Sequence, residues 1–478
     1  MAIFLEKFNF LLTILSPLHI GCDEVYEPFS FRIAEDEKKL IHFDQFNFLD
    51  SLNQQDRLKF TGFCKQGRIS SILEIYKLMA KSNISGRRVQ LCEGFIDHYR
   101  QTLGINTRNE HAVQQNLNNF IIARTAFNPY KEQPYIPGSS IKGALRTAWL
   151  NRLPQAELTP AIDYSKKGGL NREALRLEKH LLDYDQFHVD PFRLVKVSDF
   201  MPAGQIEAKI RYSVNIKKRP TNYEPQGLPI LVETVESGSA FLGSITIQRQ
   251  GRDIKDRDRI NAPIAGDELL FQSNEFYQKE KKREDRELSS LGITTPAAVD
   301  GGLIRLGRHS GAECVTIEGF RDIKIMKAKG EGSEYKSGAT TIWLAAERRT
   351  QNPLSDLKPF GWAIIKPISE EEVSNYLAKI IAGPEEGTDM PPELGTPELP
   401  SSDQVFHEGT ECWPEAVVTY APGSRTITAQ YQGRKAESRN PELVPDKYRK
   451  KLIDKKSAVT APVEVKKLGN LLELVKIR

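Results

Sequence analysis

Cysteine is scarce in this sequence and is never paired. The 478 residues include five cysteines, and no two of them form a C-x-x-C pair: Cys22, Cys64, Cys92, Cys314 and Cys412. A thiolate zinc site needs closely spaced cysteines, so we expect no zinc site and no other cofactor. An odd, scattered set is also typical of proteins kept reduced in the cytoplasm, which is where we expect this protein.

Long hydrophobic runs are also absent. No segment reaches the roughly 18 apolar residues of a membrane span. The run from Phe8 to Leu15 has the length of a short signal core, but Asn9 and Thr13 interrupt it. His19 also stands where a lipoprotein cleavage site before Cys22 needs a small residue. We therefore interpret residues 8–15 as a buried strand and expect no membrane association.

Catalytic motifs are missing, and the net charge of +4 neither requires nor excludes a nucleic-acid partner. The eight histidines form no H-E-x-x-H or H-x-x-x-H pair, and no G-x-S-x-G elbow or Walker A loop occurs. The densest acidic cluster, Asp183, Asp185 and Asp190 around His188, is a weak metal candidate. We predict no catalytic residue and no metal ligand.

The pattern of apolar residues predicts an α+β protein. Alternating segments predict strands at 8–15, 26–33 and 40–43, and again between 187 and 247. Residues 44–122 have few turn signals and a helical period, which predicts a helical insertion. Residues 249–300 contain many charges of both signs, and we interpret them as a charged insertion forming a solvated helix or a mobile segment.

A change of composition near residue 383 predicts a domain boundary. Residues 383–403 hold five prolines, six acidic residues and no lysine or arginine, which is typical of a flexible linker. Residues 404–478 then carry 14 Lys/Arg against 9 Asp/Glu. Several short strands and one basic helix there predict a small β-barrel-like domain of the OB or SH3-like type. The predicted domains are therefore 1–382, the acidic linker 383–403, and 404–478.

The segment from Tyr135 to Ala148 combines small residues with cations. We predict a helix from about Ile141 to Leu153, capped by Ser139 or Ser140. Small residues at such a helix start, with Gly138 before them, let an anion approach the backbone amides. Lys142 and Arg146 are four residues apart and share a face. Spacing alone leaves open an ordinary capped helix with solvated cations.

A second glycine-punctuated segment covers residues 301–316. It lacks the closing Gly-Lys-Ser/Thr of a phosphate-binding P-loop. Arg308 and His309, between Gly307 and Gly311, would suit a phosphate or a sugar edge. A tight strand-to-helix turn remains the structural alternative.

Four segments together resemble the RAMP superfamily (repeat-associated mysterious proteins) of CRISPR ribonucleoproteins. They are Leu15-Ser-Pro-Leu-His-Ile-Gly21, the segment Tyr135–Ala148, Arg305-Leu-Gly-Arg-His-Ser-Gly311, and Phe360-Gly-Trp362. Their order and spacing are most similar to subunit five of the type III-A effector complex, over residues 1 to about 380. Residues 404–478 match nothing in that resemblance. The resemblance implies ferredoxin-like (RRM-like) cores with helical and β-hairpin insertions.

The same resemblance implies a non-catalytic subunit that binds guide RNA (crRNA) and caps a Cas7-like backbone near the crRNA 3′ end. Its partners would be crRNA, target RNA, and other Cas7-like and small subunits. The alternative is a RAMP endoribonuclease acting on crRNA precursor or target RNA, either metal-independent with His19 as base or metal-dependent through an acidic residue. The implied RNA-binding residues are His19, Gly138, Ser139, Ser140, Lys142, Arg146, Gly307, Arg308, His309, Ser310 and Gly311.

Overall fold

The structure is a computed structural model. It describes residues 4–82, 84–106, 108–152, 170–219, 228–251, 254–297, 300–327, 332–350, 354–382, 410–421, 426–431, 434–438, 440, 443–454, 458–468 and 471–477. The chain divides into two compact units, residues 1–385 and 386–478. The predicted linker at 383–403 lies outside the described residues.

The strands of the first unit are β1 Phe4–Ile14, β2 Gly21–Val25, β3 Phe31–Ala34, β4 Lys39–His42, β5 Arg87–Leu91, β6 Ile122–Thr125, β7 Phe127–Asn128, β8 Gln133–Pro134, β9 Val195–Val197, β10 Met201–Pro202, β11 Ala208–Lys217, β12 Ile230–Val235, β13 Ala240–Arg249, β14 Gly302–Arg305, β15 Ile323–Met326, β16 Ser333–Lys336, β17 Thr341–Ala346, β18 Lys358–Pro359 and β19 Trp362–Ile368. Its helices are α1 Gln45–Ser51, α2 Gln54–Gln66, α3 Ser70–Ala80, α4 Phe95–Leu103, α5 Glu110–Asn119, α6 Gly138–Leu150, α7 Leu170–Leu181, α8 Gly266–Ser289 and α9 Glu370–Ala382. This mixture of helix and sheet agrees with the α+β prediction, whereas the ferredoxin-like core stays a prediction.

The first sheet is antiparallel and runs in the order β10-β13-β1-β19-β14, with β9 beside β13. The central strand β1 alternates, because Phe10, Leu12 and Ile14 are buried while the residues between them are partly exposed. Helices α6 and α8 contact each other and contribute to the same core as this sheet. The predicted strand at 8–15 is therefore confirmed as most of β1.

The second sheet runs in the order β2-β6-β12-β11-β5-β4-β3, with β17 also pairing β11. Helices α3 and α4 contribute buried side chains to its core. Strand β5 lies inside the segment predicted to be helical throughout. Val89 and Leu91 are buried there while Arg88 and Gln90 are exposed, so five residues alternate as a strand and pair with β4 and β11.

Helix α8 agrees with the helix predicted as one alternative within 249–300, but it is not solvated along its whole surface. Phe276 and Tyr277 are buried along it. Glu280 and Glu284 are buried as well, because each meets an arginine: Arg321 for Glu280, and Arg305 for Glu284. A charge-rich helix can thus belong to the core when its carboxylates are paired.

The second unit is a small sheet closed on itself. It consists of β20 Thr410–Ala421, β21 Thr426–Tyr431, β22 Arg434–Ser438, α10 Asp446–Arg449 with a π-helical turn Lys450–Asp454, β23 Val459–Leu468 and β24 Leu471–Ile477. The strand order is β20-β21-β22-β24-β23, and β23 pairs back onto β20. The unit has its own core, which includes Trp413, Val418, Ile427 and Leu452.

Candidate functional site

Three segments singled out by the sequence meet around one groove of about 530 Å³. They are residues 20–23, helix α6, and the loop that follows β14. The groove is lined by Ile20, Gly21, Asp23, Ser140, Gly143, Ala144, Thr147, Tyr277, Arg305, Leu306, Gly307, Arg308, Ser310, Cys314 and Val315. The segments are more than 100 residues apart in the sequence, so only the fold brings them together.

Helix α6 presents a face of small and polar residues to the groove. Ser140, Gly143 and Thr147 are at positions i, i+3 and i+7, and therefore lie on one side. The opposite side is buried: Leu145 and Trp149 belong to the core of the first sheet. A polymer backbone can approach the helix closely along this face because no long side chain covers it.

The start of α6 differs from the predicted one. The helix begins at Gly138 and ends at Leu150, and neither Ser139 nor Ser140 caps it. Instead the Gly138 N–H donates to Asp199 Oδ1 at 2.8 Å. A Cβ on Gly138 would lie 2.5 Å from the carbonyl oxygen of Ser198. Gly138 is thus required for close packing, and the helix start that we predicted to be open to an anion is already met by a carboxylate.

Lys142 and Arg146 share a face, as predicted, but it is a different face. At 3.6 residues per turn, Arg146 lies about 90° and Lys142 about 130° around the helix from the centre of the groove face. Arg146 is bound by two carboxylates, with Nη1 donating to Asp190 Oδ1 at 3.0 Å and Nε donating to Glu178. Burial lowers the pKa of Arg146, but the hydrogen bond to Asp190 and the charge of Glu178 outweigh it and raise that pKa.

Lys142 is half-buried beside the same cluster. Its burial, and then the charge of Lys196, lower the pKa of Lys142. Ser139 is exposed on α6 but does not line the groove. The structure therefore separates the predicted cations of the helix from the groove.

The loop after β14, residues 306–311, is called the glycine loop here, and it is hydrogen-bonded to the segment before β2. Gly307 has φ +78°, and a Cβ there would lie 2.4 Å from the carbonyl oxygen of His19. The next residue, Arg308, donates its backbone N–H to that oxygen at 2.8 Å. This attachment leaves the Arg308 side chain exposed at the groove. A glycine is needed at 307 because both the space and the left-handed φ exclude a side chain.

His19 is buried beneath the groove, and His309 is half-buried beside it. His19 is fully buried, and its Nδ1–H donates to the Glu233 carbonyl oxygen at 2.8 Å. The His309 ring lies 5.2 Å from the Trp343 ring and 5.1 Å from the Phe360 ring. Burial lowers the pKa of both histidines, that of His309 to about 4. The full burial of His19 argues against direct contact with RNA, and the contact predicted for His309 stays a prediction.

The other loop residues are placed by local contacts. Ser310 is buried, and its Oγ donates to the Gly307 carbonyl oxygen at 2.5 Å. Gly311 has φ +81° and supports the turn. Under the loop, Arg305 donates to the Phe360 carbonyl oxygen and to Glu284, and Glu284 accepts from Trp362 Nε1. This buried network supports the floor of the groove.

Several groove residues were missed by the sequence predictions. Gly21 and Val315 lie within segments that the sequence analysis selected, and Asp23 follows one of them, but none of the three was predicted individually. Gly143 and Thr147 had a pattern: together with Ser140 they form a small-residue stripe with helical spacing. The prediction instead followed the two cations four residues apart, which lie on a different face of α6 from the groove.

The acidic cluster near residue 188 lies elsewhere. Asp183, Asp185 and His188 line a second groove of about 540 Å³ together with Lys179 and Arg257. In the part of the chain that the structure describes, no three His, Cys, Asp or Glu side chains are grouped closely enough to hold a metal ion. Within the same residues, no helix has both the length and the apolarity to cross a membrane.

Comparison with protein families decides the relationship that the four sequence segments indicated. The model of the RAMP superfamily matches residues 11–292, which is more than half of the chain. The chain belongs to the RAMP superfamily. The predicted resemblance is thus confirmed, and two of the three segments around the groove, residues 20–23 and α6, lie within the matched RAMP region.

Two curated relatives are each named CRISPR system Cms protein Csm5. The protein of Streptococcus thermophilus is 29% identical over 208 residues, covering 41% of this chain and 52% of the relative. The protein of Methanocaldococcus jannaschii is 26% identical over 270 residues, covering 54% of this chain and 57% of the relative. The chain thus spans about half the length of the curated relatives it matches.

Two solved structures are also similar. A chain of a Csm-crRNA-target RNA ternary complex from a type III-A CRISPR-Cas system has a TM-score of 0.48 and 19% identity, covering 76% of this RAMP chain and 100% of its own length. The crystal structure of T. onnurineus Csm5 has a TM-score of 0.44 and 19% identity, covering 74% of this chain and 99% of its own length.

Proposed function

We propose that this RAMP protein is a non-catalytic Csm5-like subunit of a type III CRISPR ribonucleoprotein. In this proposal it binds crRNA, assembles with other Cas7-like and small subunits, and caps their backbone near the crRNA 3′ end. Target RNA is then a further partner of the assembled complex. The names of the curated relatives and the crRNA complex of the similar structure support this proposal.

The observation that carries the proposal is the groove between α6 and the glycine loop. The RNA backbone would lie against Ser140, Gly143 and Thr147, with Arg308 contacting a phosphate. Such contacts read no base, so binding would be largely independent of sequence and would weaken with salt. Gly307 and Ser310 would take part through the loop conformation that they maintain.

A matched pair of substitutions at Gly143 tests the groove. A Cβ at Gly143 meets no heavy atom within 4 Å, so larger side chains are accommodated without disturbing the fold. Gly143→Glu places bulk and negative charge in the groove, whereas Gly143→Gln places similar bulk without charge. We expect Gly143→Glu to weaken crRNA binding at least tenfold in filter-binding assays, and Gly143→Gln to weaken it less. Equal crRNA affinity for wild type and Gly143→Glu would show that the groove is not the crRNA-binding site.

Arg308 provides a second, independent test. Arg308→Gln removes the charge of the exposed side chain while its backbone N–H still reaches His19. Losing one phosphate contact to single-stranded RNA lowers the slope of log affinity against log salt by about 0.7. Lys142→Ala is the comparison, because Lys142 lies on the other face of α6. If Lys142→Ala loses more RNA affinity than Arg308→Gln, the RNA binds the face of α6 that carries Lys142 and Arg146, and the groove is not the site.

The alternative, an endoribonuclease that uses His19 as base, has less support from the geometry. A general base must reach the 2′-hydroxyl that it activates, but His19 is fully buried. Incubation of the purified chain with crRNA precursor, with and without EDTA, separates the two functions. We expect no cleavage, and cleavage that His19→Ala abolishes would overturn the non-catalytic proposal.

A further inference from the structure

The groove between α6 and the glycine loop contains an acidic residue that the proposed function does not explain. Among the described residues that line the groove, Asp23 is the one carboxylate, and Arg305 and Arg308 are the two cations. Arg305 is buried and paired with Glu284. A carboxylate repels the phosphates of a polyanion that binds beside it, so Asp23 needs a role of its own if RNA lies in this groove.

The two remaining charges of the groove do not neutralise each other. Asp23 and the Arg308 side chain both line it, yet no ion pair or side-chain hydrogen bond joins either of them to another described residue. The Arg308 guanidinium lies beside the start of β2, since a Cβ on Gly21 would be 3.7 Å from Arg308 Nη1. The groove thus offers a ligand one free cation and one free carboxylate.

An irregularity in β2 places Asp23 at the groove. The strand bulges between Gly21 and Val25, because these two residues, four apart, pair with residues of β6 that are only two apart. Asp23 lies in this bulge with φ +59°, a left-handed conformation that few residues with a side chain adopt. Bulges re-aim side chains beside functional sites. The position of the carboxylate is therefore set by the fold.

One group of the RNA backbone fits a free carboxylate in such a groove. An ionised carboxylate only accepts hydrogen bonds, whereas the Ser140 hydroxyl can also donate one to a phosphate. Phosphate oxygens are acceptors as well, so the sugar-phosphate backbone of RNA has a single kind of donor, the 2′-hydroxyl, and DNA lacks it. A carboxylate beside the backbone therefore favours RNA and disfavours DNA.

We propose that Asp23 makes this groove selective for RNA over DNA by accepting a hydrogen bond from a 2′-hydroxyl, while Arg308 contacts a phosphate of the same strand. The selectivity rests on the proposed function, because it requires RNA in the groove. The hydrogen bond offsets the repulsion between Asp23 and the phosphates only when the sugar carries the hydroxyl. The selectivity depends on the sugar and not on the base, in agreement with backbone contacts that read no base.

The experiment measures the affinity of the full-length chain for three single-stranded probes of about 12 nucleotides in a buffer with EDTA. The probes are oligouridine RNA, the same sequence with 2′-fluoro sugars, and deoxyuridine DNA. The 2′-fluoro probe keeps the sugar pucker of RNA but has no hydrogen to donate, so it isolates the hydroxyl.

Two variants are compared on these probes. Asp23→Gly removes the carboxylate at a position where glycine adopts φ +59° without strain. Glu24→Ala is the matched control, because it removes the same charge one residue away, from an exposed side chain that does not line the groove.

We expect the wild-type chain to bind the RNA probe about tenfold more tightly than either of the other two probes, as a hydrogen bond to a charged group allows. Asp23→Gly should reduce this preference to less than about threefold, because the RNA probe loses a hydrogen bond while the other probes lose only a repulsion. Glu24→Ala should change the affinity for all three probes by a similar factor and leave the preference as it is. Oligoadenosine probes should give the same ratios.

Several outcomes would overturn the selectivity of Asp23. They are wild-type affinities for RNA and 2′-fluoro RNA within twofold of each other, an Asp23→Gly chain with the wild-type preference, or an equal loss of preference in Glu24→Ala. A preference that appears only with Mg²⁺ would show that Asp23 holds a cation and not the hydroxyl. Circular dichroism melting monitors folding, and Asp23→Asn, which also tolerates positive φ, replaces Asp23→Gly if that variant unfolds.

Gly143→Glu separates this selectivity from the proposed groove. If Gly143→Glu leaves the RNA affinity unchanged, the groove is not the RNA site, and the groove proposal fails together with the selectivity. If Gly143→Glu weakens the binding of every probe while Asp23→Gly keeps the wild-type preference, RNA lies in the groove and only the role of Asp23 is wrong.

Discussion

His309 shows what a single half-buried side chain contributes at the glycine loop. It adopts φ +68°, a conformation that a residue with a side chain rarely takes, and its ring packs on Trp343 and Phe360. The sequence identified it as an RNA contact because it stands between glycines beside Arg308. The structure packs its ring against Trp343 and Phe360 under the loop, and its contact with RNA stays a prediction.

Stability should therefore depend on pH through His309. Burial lowers its pKa from 6.5 to about 4. The unfolded chain takes up a proton below pH 6.5 while the folded chain does so only near pH 4, so stability is full above pH 6.5 and falls as the pH drops toward 4. Between pH 7 and pH 5 the protonation of this histidine should lower the free energy of unfolding by about 2 kcal/mol, at about 1.4 kcal/mol per pKa unit.

The measurement is urea unfolding of wild type and His309→Asn at pH 5 and pH 7. Asparagine tolerates positive φ and does not titrate in this range. We expect the variant to be less stable at pH 7 but to lose less stability on going to pH 5. Identical pH profiles would show that His309 is protonated equally in the folded and unfolded chains.

Two glycines should respond in opposite ways to alanine. In Gly307→Ala the new Cβ would lie 2.4 Å from the His19 carbonyl oxygen at a residue with φ +78°. The free energy of unfolding should therefore fall by at least about 2 kcal/mol. Gly143→Ala meets nothing within 4 Å and should stabilise α6 by up to about 1 kcal/mol. Thermal melting of both variants tests the pair, and a Gly307→Ala protein as stable as wild type would contradict the close approach.

At the scale of secondary structure, helix α8 shows how charge pairing makes a polar helix part of a core. The Arg305–Glu284 pair is buried on both sides, and Glu284 also accepts from Trp362 Nε1. Such a pair gives little net stability compared with apolar residues, but breaking it leaves a charge buried and alone. The helix is therefore held in place by charged side chains that the sequence pattern alone predicts to be exposed to solvent.

Removing one partner of the buried pair should be costly. Glu284→Gln leaves Arg305 without its carboxylate, and we expect a loss of about 3–5 kcal/mol. Lys279 lies on the same helix and pairs at the surface with Glu318 from a later segment. Lys279→Gln should therefore change the free energy of unfolding by less than about 1 kcal/mol. Calorimetric melting of both variants measures the contrast, and equal small losses would contradict the buried pairing.

The elements differ in how far their sequence reveals them. Strand β1 was predictable because Phe10, Leu12 and Ile14 alternate strictly and bury one face. Helix α6 was predictable as a helix, but its start was not, because the group that meets Gly138 is Asp199, about 60 residues away. The paired charges of α8 were not predictable either, since their partners Arg305 and Arg321 come from later segments. Contacts between distant segments fix these features, and a single sequence does not show them.

The whole molecule consists of two units with separate hydrophobic cores. Each core buries its own side chains, so each unit should unfold as a unit of its own. We expect two transitions in differential scanning calorimetry. Glu284→Gln should shift the transition of the first unit, and Val418→Ala, in the core of the second, should shift the other. A single transition that both variants shift together would show that the units unfold as one.

The pairing of β1 also has a consequence for how the chain is made. Leu12 pairs with Phe241 on one side and with Ile365 on the other. During synthesis at about 5–20 residues per second, the first strand leaves the ribosome tens of seconds before its last partner exists. Its apolar edge must be shielded throughout that interval, so a nascent chain halted before residue 360 should be bound by chaperones and aggregate when they are removed.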